Sequence, residues 1–216
     1  MTKINTIKIF NMTEQTNFER LSALSAGDYQ AFLYDCDGTL ADNMPAHTLS
    51  YVETAKERNV IFDPGIIDEL AGWPISKVVG EINLRYKANL DPADFVARKA
   101  AIYTDRFLGN IKPIDYVVAH LKASVGKVRI GVVSGGDTKI ISQTLKILGI
   151  ADLVEVLVCA EDTERGKPFP DPFIKAAELL GVNPAKCLVF EDGNPGVQAA
   201  EAAGMHWIRI DQFKFG

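Results

Sequence analysis

The chain has 216 residues, of which 47% are hydrophobic and 24% charged, and its formal net charge is −5. This length allows one good hydrophobic core plus a smaller insert. The acidic balance argues against nucleic acid as a default partner. No apolar run approaches membrane-span length, and residues 1–20 lack the continuous apolar segment of a secretory leader. We therefore expect a cytoplasmic protein without membrane or nucleic-acid partners, acting as a monomer or weak homodimer.

Cysteines and histidines are few in this sequence. The cysteines are odd in number, widely spaced and each beside a predicted strand, which predicts small buried residues rather than a disulfide framework. They are Cys36, Cys159 and Cys187. The three histidines are scattered and show no spacing typical of a zinc site.

Residues 1–28 form an N-terminal extension whose structure the pattern leaves open. They are expected either to add a helix or to be partly disordered. In the helical alternative, Phe18, Leu21 and Leu24 make its apolar face.

The first predicted strand, Ala31–Asp35, ends in two carboxylates and a glycine turn. A strand projects residues i and i+2 to the same side, so Asp35 and Asp37 aim at one site while Cys36 points away. Neighbouring carboxylates repel each other unless a cation neutralises them or one serves as nucleophile and the other carries a proton. A solvated Asp-Gly turn at Gly38 is the competing interpretation of this motif taken alone.

A long insert, residues 47–112, follows, with helical patterns and no clear strand. Its apolar residues form two amphipathic stripes. They are Ile75, Val78, Val79 and Ile82 in one candidate helix, and Phe95, Ala101 and Ile102 in another. We expect a small helical bundle. Segments 43–45 and 109–113 look like linkers, which would let the bundle swing as a lid over the carboxylates.

The second predicted strand, Val128–Val133, ends in a small hydroxyl residue and two glycines. Ser134, Gly135 and Gly136 would expose backbone N–H groups at the start of the next helix, where such groups can hold an anion, and the Ser134 hydroxyl could join them. An ordinary loop is the alternative.

The third predicted strand, Val154–Val158, precedes a proline-stiffened loop that carries Lys167. A lysine held on a stiff loop suggests an anionic partner, although most lysines simply lie on the surface. Asp171 and Pro172 suit the cap and first position of the following helix.

The fourth predicted strand, Cys187–Phe190, again ends in paired acids and a glycine turn. Glu191 and Asp192 offer oxygen ligands of the kind that Mg²⁺ prefers. The alternative for one of them is an acid favoured by the dipole at a helix N-terminus. A fifth strand is predicted at Trp207–Ile210.

All four motifs follow predicted parallel strands, at the edge where open α/β sheets bind their ligands. The pattern predicts a doubly wound α/β fold, with a core of residues 29–46 and 113–216 and a helical cap of residues 47–112. This set of motifs, in this order from Tyr29 onward, resembles the haloacid dehalogenase superfamily, specifically its phosphatases and phosphomutases with a helical cap.

The resemblance implies a Mg²⁺-dependent displacement at phosphorus through an aspartyl-phosphate. Asp35 would be the nucleophile, and Asp37 would protonate the leaving alcohol and then activate water. Mg²⁺ would be held by the Asp35 carboxylate, the Asp37 backbone carbonyl and Asp192, with Glu191 as a further ligand or an indirect partner. The aspartate at position 37 also favours phosphate esters over the family's dehalogenase and phosphonate chemistry.

The same resemblance implies a set of substrate contacts. Ser134, Gly135 and Lys167 would bind the phosphoryl group, and Lys167 would offset the charge of Asp35. In the cap, His47 would touch substrate or Asp37, or make only a structural hydrogen bond, and Lys77 stands where relatives usually carry arginine.

The expected function is that of a phosphatase acting on small phosphorylated sugars or sugar acids. The cap sequence resembles that of bacterial phosphatases acting on fructose 1-phosphate and 6-phosphogluconate. A phosphomutase of the β-phosphoglucomutase type is the alternative, since it uses the same nucleophile and proton carrier. A non-catalytic, receiver-like phosphate-sensing module is a third possibility, but receivers are about half this size and lack a cap-sized insert.

Overall fold

A computed structural model describes residues 15–70 and 73–213. Within this part the chain divides into two compact units. The first comprises the described residues up to Asp42 together with those from Lys112 onward, and the second is Asn43–Ile111. Among the described residues, no helix has both the length and the apolar character needed to cross a membrane.

The first unit is built on a five-stranded parallel sheet. Its strands are β1 (Ala31–Tyr34), β4 (Arg129–Val133), β5 (Val156–Val158), β6 (Cys187–Glu191) and β7 (His206–Arg209). Their order across the sheet is β5-β4-β1-β6-β7. Tyr34 pairs with Val132 on one side and Phe190 on the other, so the carboxyl ends of the three central strands lie level. This arrangement confirms the predicted doubly wound fold.

Helices pack against the sheet and form most of the connections between its strands. They are α1 (residues 15–24), α6 (Asp115–Ser124), α7 (Thr138–Ile147), α8 (Asp171–Leu180) and α9 (Asn194–Ala202). The central strands β1 and β6 are buried at every position, as expected for strands covered on both faces. One core cluster includes Leu33, Val189, Phe173 and Ala200, which fixes the sheet beneath α8 and α9.

The N-terminal helix α1 confirms the helical alternative but presents a different face from the one predicted. Leu21 is buried, whereas Leu24 is 53% exposed. Asn17 and Ser25, one helical turn to either side of Leu21, are the other buried residues. Asn17 donates to the backbone oxygen of Phe213, so polar contacts shift the buried stripe away from Leu24. Residues 1–14 of the predicted extension lie outside the described residues.

A short two-stranded ribbon joins the two ends of the first unit where the chain leaves and returns. β2 (Ala41–Asp42) pairs antiparallel with β3 (Lys112–Pro113), a pairing that the sequence did not predict. Two residues per strand leave no periodicity to detect. The Ile114 amide also donates to the Leu40 oxygen at 2.9 Å, so the predicted exit linker is partly ordered by sheet pairing.

The second unit is helical within its described residues. Its helices are α2 (Met44–Lys56), α3 (Gly65–Glu69), α4 (Ile75–Tyr86) and α5 (Pro92–Ile102), followed by a π-helical turn at Tyr103–Phe107. Asp91 caps α5 by accepting from the Asp94 amide, and Pro92 occupies its first position. The predicted stripe of α4 packs into the interior of this unit through Val78, Val79 and Ile82.

Candidate active site

Asp35 continues the first strand beyond its assigned end. Its amide donates to the Phe190 oxygen at 2.9 Å, extending the β1–β6 ladder, and the residue is only 7% exposed. The amides of Leu40 and Ala41 both donate to the Cys36 oxygen, closing a tight turn directly after the strand. Hydrogen bonds to β6 and within the turn itself therefore fix the backbone that carries Asp35. Burial is the largest effect on the Asp35 carboxyl and raises its pKa well above the usual range.

The loops that follow β1, β4, β5 and β6 are called here the first, second, third and fourth loops. Gly38 allows the first and fourth loops to meet. Its φ of +85° favours glycine, and a Cβ there would lie 2.1 Å from Oδ2 of Asp192. The neighbouring Thr39 hydroxyl donates to Oδ1 of Asp192 at 3.0 Å. The sequence separates these residues by more than 150 positions, but the parallel pairing of β1 and β6 brings their loops together.

Three carboxylates lie within reach of a single cation. Asp35, Glu191 and Asp192 each offer an oxygen atom, and these atoms all lie within 4.8 Å of one another. Oxygen-only ligands suit a hard divalent ion such as Mg²⁺, which usually completes its shell with water. The donor chemistry therefore fits the predicted ion. Asp37 pairs through its backbone with Ala41, and the predicted ligation by its carbonyl remains a prediction.

Lys167 crosses from the third loop into this acidic cluster. Its Nζ donates to Asp35 Oδ1 at 2.7 Å, Glu191 Oε1 at 2.6 Å and the Val133 oxygen at 2.9 Å. These contacts use all three ammonium protons. Burial alone lowers the pKa of Lys167, but the two carboxylates more than offset that effect, and the pKa is raised. Lys167 is therefore held as a cation, which excludes the surface-lysine interpretation.

Glu191 is held by its neighbours on the fourth loop. Its Oε2 accepts from the Gly193 amide at 2.8 Å while Oε1 receives Lys167. A Cβ on Gly196 would lie 1.7 Å from Oε1, so the absence of a side chain there makes the space for this carboxylate. Glu191 is buried and doubly hydrogen-bonded, which is more than a helix-dipole contact would require.

The second loop is ordered by its own side chains. The Ser134 amide donates to the Val158 oxygen, and its hydroxyl oxygen accepts from the Gly136 amide at 3.1 Å. Asp137 caps α7 by accepting from the amides of Lys139 and Ile140. The predicted binding of an anion by Ser134 and Gly135 remains a prediction. Ser134 directly follows Val133, whose carbonyl oxygen accepts a hydrogen bond from Lys167. This contact brings the loop that carries Lys167 next to the loop that carries Ser134.

The acidic cluster and Lys167 form one compact charged site at the carboxyl edge of the sheet. Comparison with known proteins shows the family to which the chain belongs. Residues 29–204 match the model of a hydrolase family described as haloacid dehalogenase-like hydrolase. The chain belongs to the haloacid dehalogenase-like hydrolases. The predicted family, fold class and hydrolase activity are confirmed.

Several proteins resemble this haloacid dehalogenase-like hydrolase over most of its length. Fructose-1-phosphate phosphatase YqaB of Escherichia coli (strain K12) is 31% identical, and the match covers 84% of this chain and 96% of that protein. Hexitol phosphatase A of the same organism is 30% identical over 84% of this chain and 83% of its own. Beta-phosphoglucomutase of Bacillus subtilis (strain 168) is 26% identical over 85% and 84%.

A solved structure shows the same fold. A putative phosphoglycolate phosphatase from Lactobacillus plantarum superposes with a TM-score of 0.75 at 22% identity, covering 84% of this chain and 86% of that one. The likeness extends through both units of this haloacid dehalogenase-like hydrolase in sequence, since the family match includes all residues of the second unit.

In the second unit of the hydrolase, His47 belongs to a compact aromatic and cationic cluster. Its ring stacks on Tyr103 with centroids 4.2 Å apart, and its Nδ1 lies 2.8 Å from the ammonium of Lys99. Lys99 is only 5% exposed and lies over the rings of Tyr51 and Tyr103. His47 therefore makes the structural hydrogen bond weighed as one alternative, and its contact with substrate remains a prediction.

Lys99 is a buried cation to which sequence reasoning assigned no role. A usable signal was present, because His47 and Tyr51, like Lys99 and Tyr103, are four residues apart, and helical residues at that spacing share a face. Lys77 lies exposed in the first turn of α4. Its predicted substrate contact remains a prediction, and the preceding residues 71–72 lie outside the described residues.

Proposed function

We propose that this hydrolase is a Mg²⁺-dependent phosphatase that hydrolyses small phosphorylated sugars or sugar acids through an aspartyl-phosphate. The observation that carries this proposal is the contact of Lys167 with the two buried carboxylates of Asp35 and Glu191, beside Asp192. A divalent cation there would bring the formal charge of the three carboxylates and the ammonium to zero. Such charge balance is needed for an anionic carboxylate to approach an anionic phosphate.

Asp35 is the proposed nucleophile. Burial raises its pKa, and the Lys167 ammonium opposes that effect by favouring the charged carboxylate. A bound metal ion would act in the same direction as Lys167. In the first displacement an Asp35 oxygen forms a bond to phosphorus, the ester P–O bond breaks, and Asp37 gives its proton to the departing alcohol oxygen. In the second, Asp37 takes a proton from water, whose oxygen attacks phosphorus and releases Asp35 and inorganic phosphate.

The remaining predicted contacts serve the phosphoryl group and the leaving group. Ser134, Gly135 and Lys167 are proposed to bind phosphoryl oxygens, which gain charge during transfer. Mg²⁺ bound by Asp35, Asp37, Glu191 and Asp192 would supply further electrostatic stabilisation of that charge.

Sugar phosphates are the proposed substrate class because two similar relatives carry names of that kind, a fructose-1-phosphate phosphatase and a hexitol phosphatase. His47 and Lys77 are the proposed contacts for the sugar in the second unit. Both present nitrogen donors suited to hydroxyl groups or a second anionic group.

The decisive experiment is the Asp35→Asn variant, assayed for phosphate release from a panel that includes fructose 1-phosphate and 6-phosphogluconate. We expect steady multiple turnover by the wild type, its loss with EDTA, and at least a 1000-fold loss of turnover in the variant, because an amide is a poor nucleophile. The matched control is Asp28→Asn, which makes the same substitution at an exposed residue before the amino end of the same strand. Substantial activity of Asp35→Asn would refute the nucleophile assignment.

The same assay separates the alternatives. With glucose 1-phosphate and Mg²⁺, release of inorganic phosphate supports the phosphatase, whereas accumulation of glucose 6-phosphate would show a phosphomutase. Phosphorylation without turnover would instead support a phosphate-sensing module. Only the first outcome is consistent with the proposal.

A further inference from the structure

We propose that Arg165 is a positioning residue, which clamps the third loop so that Lys167 meets Asp35 and Glu191. This inference rests on the proposed function, because it assigns Arg165 a part in the rate of phosphoryl transfer. Arg165 itself is not proposed to touch the phosphoryl group.

The clamp is a fork between Arg165 and the first residue of α8. Arg165 Nε donates to Asp171 Oδ1 and its terminal nitrogen to Oδ2, both at 3.0 Å. Pro170 occupies the cap position of α8, so Asp171 does not cap the helix as the sequence suggested. Its carboxylate receives Arg165 instead, close to the positive end of the helix dipole.

Phe169 completes the clamp from inside the loop. The guanidinium carbon of Arg165 lies 4.8 Å from the centre of the Phe169 ring, which remains 47% exposed. The Phe169 amide also donates to the Gly166 oxygen at 3.0 Å. The fork thus closes residues 165–171, which include Lys167, into a ring anchored on a helix.

Lys167 has little tolerance for movement of this loop. Its side chain is only 11% exposed and its ammonium donates to three different acceptors, so that a shift of about 1 Å would break at least one of these hydrogen bonds. The flanking Gly166 has open space where a Cβ would be, so its own packing does little to restrain the chain. The contact of Arg165 with Asp171 therefore supplies a restraint on the backbone next to Lys167 that Gly166 does not.

Stability alone does not account for the fork. The side chains of Arg165 and Asp171 are 56% and 26% exposed, and an ion pair this exposed contributes about 0–1 kcal/mol. Misplacement of a catalytic group by about 1 Å, by contrast, costs up to about 100-fold in rate. The larger consequence of the clamp is expected in turnover.

The test compares Arg165→Gln, Arg165→Lys and Asp171→Asn with the wild type in steady-state kinetics. We expect Arg165→Gln to lower kcat about 10-fold with little change in KM, since Lys167 is displaced while the substrate's other contacts persist. Arg165→Lys should resemble Arg165→Gln, because lysine lacks the two-pronged fork. Combining Arg165→Gln with Asp171→Asn should add little, since either change alone opens the clamp.

The matched control is Arg129→Gln, which removes a similarly exposed ion pair with Glu155 at the amino end of β4. Its kcat should stay within about 2-fold of the wild type. A second readout is hydrogen exchange of the Gly166, Lys167 and Phe169 amides without substrate, which should speed up in Arg165→Gln and not in the control.

An increase in KM with unchanged kcat would overturn the proposal and make Arg165 a substrate contact. Unchanged kinetics would equally overturn it, as would multiplicative effects of the two single changes. A wild type inactive on every phosphate ester would refute the proposed function instead. Hydrogen exchange would then still decide the clamp, since unchanged exchange in Arg165→Gln contradicts it.

Discussion

Gly196→Ala is the substitution whose effect the structure predicts with a definite sign. Gly196 lies in the first turn of α9 and is buried. A Cβ there would meet Glu191 at Oε1, Cδ and Cγ at 1.7, 2.0 and 2.6 Å. Rotation of the carboxylate tip alone cannot relieve three such contacts. The whole Glu191 side chain must leave its place, and with it the bonds to Lys167 and the Gly193 amide.

The expected cost can be estimated from opposing effects. Alanine in a helix stabilises it by about 1 kcal/mol relative to glycine. Overpacking a filled site costs about 1–3 kcal/mol. Each charge-assisted hydrogen bond of Glu191 contributes about 1.5–3 kcal/mol, part of which is recovered when water replaces it. We therefore expect a net destabilisation of about 2–4 kcal/mol, opposite in sign to helix propensity.

Urea unfolding followed by circular dichroism measures this change, and Gly80→Ala is the matched control. Gly80 lies exposed inside α4, and a Cβ there has nothing within 4 Å. The control should gain up to about 1 kcal/mol from propensity alone. Equal stabilisation by both substitutions would refute the packing argument. Under the proposed function, Gly196→Ala should also lower phosphatase turnover at least 10-fold, since Lys167 loses one of its two carboxylates.

Two further measurements probe charge in the first unit. Burial lowers the pKa of His120 to about 4, and Lys127 adds to the effect. Because the pKa of histidine in the unfolded chain is about 6.5, protonation favours the unfolded state. The free energy of unfolding should therefore fall by up to about 3 kcal/mol from pH 6.5 to pH 4. The unfolding free energy of His120→Gln should change less between pH 6.5 and 5, and an equal slope would contradict this. Mg²⁺ at 100 times its Kd should stabilise the wild type by about 2.7 kcal/mol and so raise its melting temperature. The rise should be markedly smaller in Asp192→Asn. An equal rise in both proteins would argue against ligation by Asp192.

Much of the core could be predicted because its signals are local. Buried β-branched and aromatic runs mark the central strands, and a glycine or hydroxyl residue follows each where the chain must turn. The face of α1 was predicted less well. Periodicity favours Phe18, Leu21 and Leu24, but Asn17 and Ser25 are buried because each finds a distant polar partner, Phe213 and His120 respectively.

The candidate site likewise combines residues that local motifs reveal with residues whose contacts depend on distant partners. The acids after β1 and β6 are visible as motifs, and open parallel sheets place such motifs at one edge. The contact of Lys99 with His47 and that of Arg165 with Asp171 are not marked by a comparable motif. The four-residue spacings of His47 with Tyr51 and of Lys99 with Tyr103 indicate a shared helix face, but the partner that each cation meets depends on another element or loop.

By itself, the sequence determined which residues carry charge, where the strands end and which chemistry those ends can support, because these properties depend on neighbours a few positions away. Only the tertiary structure decided that Lys167 reaches Asp35 across 132 positions and that Gly196 makes room for Glu191. Contacts of that kind depend on how the strands are ordered in the sheet and on how closely side chains pack. Neither property is encoded in any short segment of the chain.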